Sequence, residues 1–358
     1  MAYTNIDDPS AYFTTTLWTG AGGSPRAITN DANSGNFQPD FVWTKGRNEA
    51  YEHQLYDSSR GAGTTKGLTS NDTTAEGNYS ATYGYLSSFN SNGFTGTAGT
   101  SGQNAYFDTN AKTYVAWQWK ANGGTTASNS DGTITSTTQV NSDAGFSIQT
   151  LTSASSGTSN WGHGLGQKPD WWVVKITGSG GGGWWLHHKS LNSGTSSQYL
   201  GLNSTAAATN LSAFDASSST ITASADFVAN SKTMVCYAFV EKQGYSKFGS
   251  YVGNGNANGA FIYTGFKPAW VLIKRSDGAT NWRLFDSKRS GFNGDTSQLY
   301  PNLTNAEDSA GDQIDLLSNG FKNRTASGDQ NISGASYIYM AFAENPFTTS
   351  TGIPATAR

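Results

Sequence analysis

Three copies of one segment decide the fold, and the first reads Phe37-Gln38-Pro39-Asp40-Phe41-Val42-Trp43-Thr44-Lys45. The others read Gln167-Lys168-Pro169-Asp170-Trp171-Trp172-Val173-Val174-Lys175 and Phe266-Lys267-Pro268-Ala269-Trp270-Val271-Leu272-Ile273-Lys274. In each copy a lysine follows the proline by six positions. The aromatic and β-branched residues between them are typical of a strand. A proline that precedes a strand removes no hydrogen bond from the sheet.

Three further anchors follow each copy in the same order. The first is a leucine (Leu55, Leu186 and Leu284), which comes 16, 17 and 16 residues after the proline. The second is Asn92-Gly93-Phe94, Ala225-Asp226-Phe227 and Asn319-Gly320-Phe321. The third is an apolar closing strand, at residues 114–119, 234–239 and 337–342. Chance similarity would not hold this spacing, so the anchors indicate an internal repeat.

The repeat divides the chain into three units, residues 1–123, 124–243 and 244–358, the last with a C-terminal tail. Each unit alternates short strand-like runs with turns rich in Gly and Asn, a pattern typical of sandwiches and jelly rolls. We therefore predict an all-β protein of three tandem β-sandwich, jelly-roll-like repeats, with less than about 10% helix. We expect six repeat positions to be buried: Trp43, Val173, Leu272, Trp119, Phe239 and Phe342.

The composition excludes several classes of protein. Charged residues make up only 13% of the chain, but 13% aromatic residues and a net charge of -3 argue against disorder. The 22 Lys and Arg against 25 Asp and Glu leave no basic footprint for nucleic acid. No apolar run approaches the ~20 residues that span a bilayer, and the N-terminus lacks the features of a secretory signal. We expect no nucleic-acid partner, no membrane insertion and, with Cys236 alone, no internal disulfide.

No motif in the sequence calls for catalysis, a cofactor or a metal ion, so we predict that the protein is not an enzyme. His187 and His188 are adjacent on a predicted strand, so they point to opposite faces and cannot chelate one ion together. Asp57, Asp286 and His188 each follow a leucine anchor by two residues. Capping of the next turn is the favoured interpretation of the two aspartates, and sugar or Ca²⁺ binding is the alternative.

Aromatic side chains are the candidates for ligand contact. Tyr83, Tyr85, Trp161 and Trp184 lie near predicted loops, where an exposed ring can stack on a sugar. Burial in the core or at a sandwich edge is the alternative for each of them. Tyr83 and Tyr85 flank a glycine between polar turns and are the better candidates for exposure.

The two ends of the chain resemble a known family. The start reads Ile6-Asp7-Asp8-Pro9-Ser10-Ala11-Tyr12-Phe13, and the end reads Tyr337-Ile338-Tyr339-Met340-Ala341-Phe342-Ala343-Glu344-Asn345-Pro346-Phe347. With residues 38–43 and 113–120, these motifs resemble largely uncharacterised virion proteins of tailed phages, especially phages of marine bacteria, often labelled tail-fibre or structural proteins. The resemblance covers nearly the whole chain. Members often have Cys where this chain has Gln118, a difference that bears on packing.

The resemblance implies a protein of the virion, with other phage virion proteins as partners. We expect a tail fibre or receptor-binding appendage that recognises a host cell-surface glycan, with the contact in the third unit because the N-terminal end usually anchors a fibre. A capsid decoration or head-fibre protein is the alternative, and a polysaccharide-degrading tail protein is a second one. Sheet edges with few charges, together with the common trimeric state of phage appendages, predict a homotrimer.

Overall fold

A computed structural model describes residues 3–32, 36–191, 197–228, 230–289, 293–309 and 311–354. Strands hold 42% of the residues and helices 3%, so the predicted all-β class is confirmed. Within the described ranges, no helix is both long enough and apolar enough to cross a membrane.

The first unit folds as two antiparallel sheets. After a 3-10 turn at Pro9–Ala11, its elements are β1 (Phe13–Thr19), β2 (Arg26–Thr29), β3 (Phe41–Gly46), β4 (Gln54–Asp57), α1 (Ser80–Tyr83), β5 (Tyr85–Asn90), β6 (Gly93–Thr97) and β7 (Thr113–Trp119). The inner sheet has the order β1-β7-β3-β4, and the outer sheet has the order β2-β6-β5. Apolar residues of both sheets, among them Ile28, Val42 and Phe94, form a core between them.

The second unit repeats this plan and adds strands at both ends of its inner sheet. Its elements are β8 (Ala127–Asn129), β9 (Ser136–Asn141), β10 (Phe146–Thr152), β11 (Ser159–Gly162), β12 (Trp171–Ile176), β13 (Trp184–His188), β14 (Ser197–Gly201), β15 (Thr209–Leu211), β16 (Asp215–Ala216), β17 (Thr220–Ala223), α2 (Ala225–Val228) and β18 (Thr233–Phe239). The inner order is β15-β14-β13-β12-β18-β10-β9-β8, and the outer order is β11-β17-β16.

The third unit returns to the plan of the first. Its elements are β19 (Ser246–Val252), β20 (Phe261–Tyr263), β21 (Phe266–Arg275), β22 (Arg283–Asp286), β23 (Ile314–Leu317), β24 (Gly320–Asn323) and β25 (Ser336–Pro346). The inner order is β19-β25-β21-β22, and the outer order is β20-β24-β23. Each closing strand therefore lies between two neighbours in its sheet, which explains why it is apolar at nearly every position.

One predicted anchor of the second unit is wrong. Residues 225–227 lie in α2, whereas the corresponding residues of the other units lie at the starts of β6 and β24. The structural equivalent is Ile221, which pairs with Trp161 as Phe94 pairs with Ile28. Gly93 is needed in the first unit because a Cβ there would lie 2.0 Å from a backbone carbonyl oxygen. The second unit has Thr220 at the equivalent place, so the motif disappears from its sequence.

The inner sheets of all three units meet in one common core. Trp119, Phe239 and Phe342 occupy equivalent places in the closing strands, where they pair with Phe41, Trp171 and Trp270. Their rings contact one another with centroid distances of 6.5, 5.6 and 5.6 Å. Equivalent residues that all touch one another lie around a common axis, so the units are related by an approximate threefold arrangement.

The common core is closely packed. The six positions expected to be buried are at most 4% exposed, which confirms that prediction. The cavity among these aromatic residues measures only about 20 Å³ and has an entirely apolar lining. An apolar lining offers a water molecule no hydrogen-bond partner. Each inner sheet thus has one face on its own outer sheet and the other on the common core.

Backbone hydrogen bonds join the units in a ring. The Glu76 N–H donates to the Thr177 carbonyl at 3.0 Å, and the Ala208 N–H donates to the Ser276 carbonyl at 2.8 Å. The Glu307 N–H closes the ring by donating to the Arg47 carbonyl at 2.6 Å. The first unit therefore binds the second, the second binds the third, and the third binds the first.

Ring N–H groups bridge the same three contacts between units, which we call the seams, with the donor and acceptor units exchanged. The Trp184 indole donates to the Thr69 carbonyl at 2.8 Å, and the Trp282 indole donates to the Gly201 carbonyl at 2.9 Å. His53 takes the third place, with Nε2 3.1 Å from the Tyr300 carbonyl oxygen. His53 Nδ1 accepts from the Trp43 indole, so the proton of the neutral ring is on Nε2 and can be donated across the seam.

The lysine of each repeated segment is buried at these seams. Lys175 Nζ donates to the Thr73 and Thr74 carbonyls of the first unit at 3.1 and 2.8 Å. Lys274 Nζ reaches the Thr205 carbonyl of the second unit at 3.3 Å, and Lys45 donates to carbonyls of its own hairpin. Burial lowers the pKa of Lys45 to about 7 and that of Lys175 and Lys274 to about 8.

Two seams contain a buried charged triad. Asp57 caps the next turn by accepting the Arg60 N–H at 2.8 Å and also pairs with its guanidinium, so the predicted capping role is confirmed. Arg60 pairs in turn with Glu76, and the Tyr237 hydroxyl of the second unit donates to Asp57 at 2.7 Å. The third unit repeats the arrangement: Asp286 pairs with Arg289, Arg289 pairs with Glu307, and the Trp117 indole donates to Asp286.

The remaining seam is neutral at every equivalent position. His188 replaces the aspartate, and its Nδ1 accepts the Ser190 N–H at 3.0 Å. Its Nε2 therefore donates to the Tyr339 carbonyl at 3.0 Å. Met340 takes the place that Tyr237 and Trp117 have in the other closing strands, and it has no hydrogen to donate. Leu191 and Ala208 stand where the charged seams have arginine and glutamate. A buried charge without a partner destabilises the folded chain, so uncharged residues replace the charged ones at all three positions.

Replacement of Phe342 by Ala should lower the free energy of unfolding by roughly 3–5 kcal/mol, because the smaller side chain would leave a cavity at the centre of the common core. Chemical denaturation monitored by tryptophan fluorescence measures the change. Phe261→Ala is the matched control, because that ring is 46% exposed, and its effect should be within about 0.5 kcal/mol. Unfolding of Phe342→Ala at the wild-type midpoint would contradict the common core.

Acidification from about pH 6.5 to 5 should lower the free energy of unfolding. Burial lowers the pKa of all four histidines, to about 4 for His187 and about 3 for His188. The unfolded chain binds protons near its ordinary pKa of ~6.5, so it holds more protons than the folded chain in this window. Each histidine contributes at most ~1.4 kcal/mol per pH unit.

His188→Gln should reduce that pH dependence by up to one histidine's share, since the glutamine amide keeps a donor for the Tyr339 carbonyl. Denaturation curves at half-unit pH intervals measure the slope for both proteins. An identical slope in variant and wild type would show that His188 binds protons equally well in the folded and the unfolded chain.

Candidate ligand-binding site

The structure corrects the expected exposure of two of the four candidate aromatics. Trp161 and Trp184 are both fully buried. Trp161 is the third of the four residues of β11 and packs between the sheets of the second unit. Trp184 packs in the common core and donates across the seam. Neither ring has a free face for a ligand, because each is buried in a core. Their positions near turns in the sequence did not indicate this burial.

The other two candidates lie on the first unit. Tyr83, the last residue of α1, is 42% exposed and contacts the ring of Tyr106 edge-on. Tyr85 begins β5 and is half-buried against the core of the first unit. The expected exposure of Tyr83 is confirmed, and ligand contact by either tyrosine stays a prediction.

In the described residues, no three His, Cys, Asp or Glu side chains are placed to hold one metal ion. His187 and His188 point to opposite faces as expected: His187 stacks on Trp172 and His188 binds Tyr339. Cys236 is buried in β18, which raises the pKa of its thiol.

Two exposed aromatic rings stand side by side on the outer sheet of the third unit. Phe261 and Tyr263 are 46% and 52% exposed, while Ile262 between them is buried. Alternate residues of a strand point to the same face, so both rings point outward from β20. We call this pair, Phe261 and Tyr263, the aromatic platform.

The other two units show that the fold needs no aromatic residue at these places. The buried residues Ile28, Trp161 and Ile262 are equivalent, because each is the central partner of the next strand in its outer sheet. Their outward neighbours are Ala27 and Thr29 in the first unit and Asn160 and Gly162 in the second. Exposure of a large apolar ring gives no stability, so the platform requires a reason other than folding.

Polar groups of balanced charge lie beside the platform. Lys322 is the cross-strand partner of Phe261, and Asp315 is the next residue in that row. Arg324 pairs with Asp312 and Asp315. Gly320 is the cross-strand partner of Tyr263, and its lack of a side chain makes room for the Phe261 ring, because a Cβ there would lie 3.0 Å from Phe261 Cε2. The site therefore offers two apolar faces with hydrogen-bonding groups at their side and little net charge.

The platform could not be recognised from the sequence, because Phe261-Ile262-Tyr263 is typical of a short buried strand. The signal that could have revealed it is the comparison of repeats: once β2, β11 and β20 are aligned on their central residue, aromatic neighbours occur only in the third unit.

The fold and surface define an all-β protein in which three sandwich units share one core and the third displays an aromatic platform. The chain belongs to the family described as a domain of unknown function, DUF7483, which matches residues 8–346. The matched range therefore includes all three units. Comparisons with curated proteins and with solved structures gave no match.

The double variant Phe261→Ala/Tyr263→Thr gives the third unit the residues of the first. Because the first unit folds with Ala27 and Thr29, the free energy of unfolding should change by no more than about 1 kcal/mol. Thermal denaturation followed by circular dichroism measures it. A loss comparable to that of Phe342→Ala would show that the platform is a structural element.

Proposed function

We propose that the protein is a structural protein of the phage virion surface, a tail fibre or other receptor-binding appendage. In this proposal it recognises a host cell-surface glycan through the aromatic platform. The observation that carries the proposal is the pair of exposed rings on the third unit, at positions where the other units have small or polar residues.

A glycan fits the chemistry of the platform. Sugar rings have apolar faces that pack on aromatic side chains, and their hydroxyl groups hydrogen-bond with the neighbouring lysine, arginine and carboxylates. The charges of Lys322, Arg324, Asp312 and Asp315 cancel, and the whole chain has a net charge of -3. Binding should therefore depend little on salt, unlike binding of a strongly charged ligand.

The resemblance to phage virion proteins and the Gly-, Ser-, Thr- and Asn-rich surface of the all-β fold support a place on the particle. Assembly as a homotrimer and contact with other virion proteins belong to the proposal. β1 and β19 are outermost strands of their inner sheets, and such edges can pair with another chain. The threefold closure within one chain, however, already joins three sandwiches without further copies.

A capsid decoration or head-fibre protein is the second candidate. It is favoured by the ring of seams, in which each unit holds the next through backbone bonds and buried side chains. A chain closed in this way resists separation of its three units, which suits a protein that reinforces a capsid shell.

An adsorption experiment tests the first candidate. Purified wild-type protein should bind host cells and reduce phage adsorption, and Tyr263→Ala and Phe261→Ala should each weaken binding at least about tenfold, since stacking at a binding hot spot is worth more than ~1 kcal/mol. Point variants are needed because deletion of residues 244–358 would remove a third of the common core.

Tyr83→Ala is the matched control, because Tyr83 is similarly exposed but lies on the first unit. If the ligand binds the platform and not the predicted tyrosines of the first unit, this variant should bind cells as the wild type does. Loss of binding by Tyr83→Ala and not by Tyr263→Ala would move the ligand site to the first unit. If neither the protein nor its variants bind cells, and antibody labels the capsid of intact particles in electron micrographs, the decoration function is correct instead.

A further inference from the structure

A second concave site lies where three connecting segments of the chain meet. The N-terminal residues 3–6, residues 142–143 before β10 and residues 242–243 before β19 enclose a cleft of about 570 Å³ together with Tyr12. We call it the seam cleft. The Thr4 hydroxyl donates to the Gln243 carbonyl at 2.7 Å and fixes the N-terminal segment against the joint between the second and third units. The volume is in the range of small-ligand sites, ~300–1,000 Å³.

Two opposite charges line the seam cleft without pairing. Asp143 and Lys242 both line it, yet among the described residues neither side chain forms an ion pair or a hydrogen bond. Elsewhere on this protein, exposed residues of opposite charge do pair, as Lys288 and Asp31 do. Groups of opposite sign that share a cleft and stay apart leave between them a space that a ligand with both donors and acceptors can fill.

Aromatic side chains complete the lining. Tyr12 is half-buried against Tyr245 and lines the cleft. Tyr3 forms another part of the wall, and its hydroxyl donates to the Gly265 carbonyl at 2.6 Å.

The seam cleft and the aromatic platform are neighbours. The hydroxyl oxygens of Tyr3 and Tyr263 lie 3.5 Å apart. Tyr3 lines the cleft, and Tyr263 is half of the platform, so a ligand that leaves the face of Tyr263 meets the wall of the cleft next. An extended molecule can therefore contact both.

We propose that the seam cleft and the aromatic platform form one extended binding site for an uncharged oligosaccharide, a proposal that rests on the proposed function. One end of the saccharide stacks on Phe261 and Tyr263, and the other enters the cleft. There, sugar hydroxyls donate to the Asp143 carboxylate, Lys242 donates to sugar oxygens, and Tyr12 offers a ring face. The two charges cancel, so a neutral, hydroxyl-rich ligand fits better than an ionic one.

Isothermal titration calorimetry with neutral saccharides tests the proposal. The probes are maltose, chitobiose, mannobiose and isomaltose and the hexasaccharide of each series. A hexasaccharide can occupy platform and cleft together, whereas a disaccharide occupies one of them. For at least one series, the wild type should bind the hexasaccharide at least tenfold more tightly than the disaccharide.

Asp143→Ala and Lys242→Met should each reduce this length preference to less than about threefold, while Tyr263→Ala should weaken binding of both lengths. Asp131→Ala, an exposed aspartate outside the cleft, is the control and should behave as the wild type. Melting temperatures confirm that the variants are folded.

The outcomes separate the two proposals. Equal affinity for short and long saccharides, or an unchanged preference in the cleft variants, would overturn the extended site and leave the platform in place. Binding that weakens tenfold between 50 and 500 mM salt would overturn the neutral ligand class. If none of the saccharides binds the wild type, the glycan-binding function itself is wrong.

Discussion

The contact among Trp119, Phe239 and Phe342 is the interaction on which the rest of the structure depends. Each ring lies at an equivalent place in the closing strand of one unit, and that strand lies between two neighbours of its inner sheet. Once the three rings touch around one axis, the three inner sheets are fixed in orientation, and their side edges are brought together. The seams follow from this placement: the same backbone bond and the same ring N–H contact recur between each unit and the next.

The seams also show how a buried position tolerates different chemistry. Two of them bury an Asp–Arg–Glu triad, and the third has His188, Leu191 and Ala208 in the same places. Every charged side chain of a triad has a partner of opposite charge. The seam that has no arginine at this position has no acidic residue at the other two. A partner of opposite charge for every buried charge is the constraint, and either set of residues meets it.

Much of this framework could be predicted from sequence, because strand composition and a constant spacing are local signals. The repeat, the all-β class and the burial of six core positions follow from them. The common core could not be predicted, since apolar residues on both faces of a closing strand are equally consistent with three separate sandwiches. A Leu-x-x-Asn motif at Leu68, Leu200 and Leu299 lies at the seams. It follows the leucine anchors by 13, 14 and 15 residues, and this changing distance makes the motif hard to recognise as part of the repeat. Trp161 and Trp184 were misassigned because position near a turn does not reveal burial.

The protein combines a threefold interior with a surface that differs between units. Of the three equivalent outer strands β2, β11 and β20, only β20 has the aromatic platform. If the three units share one core, they unfold together. Differential scanning calorimetry of the whole chain tests this most directly. A common core predicts a single transition whose calorimetric enthalpy equals its van't Hoff enthalpy. A calorimetric enthalpy about three times the van't Hoff value, or separate transitions for the units, would show three independent domains and contradict the account.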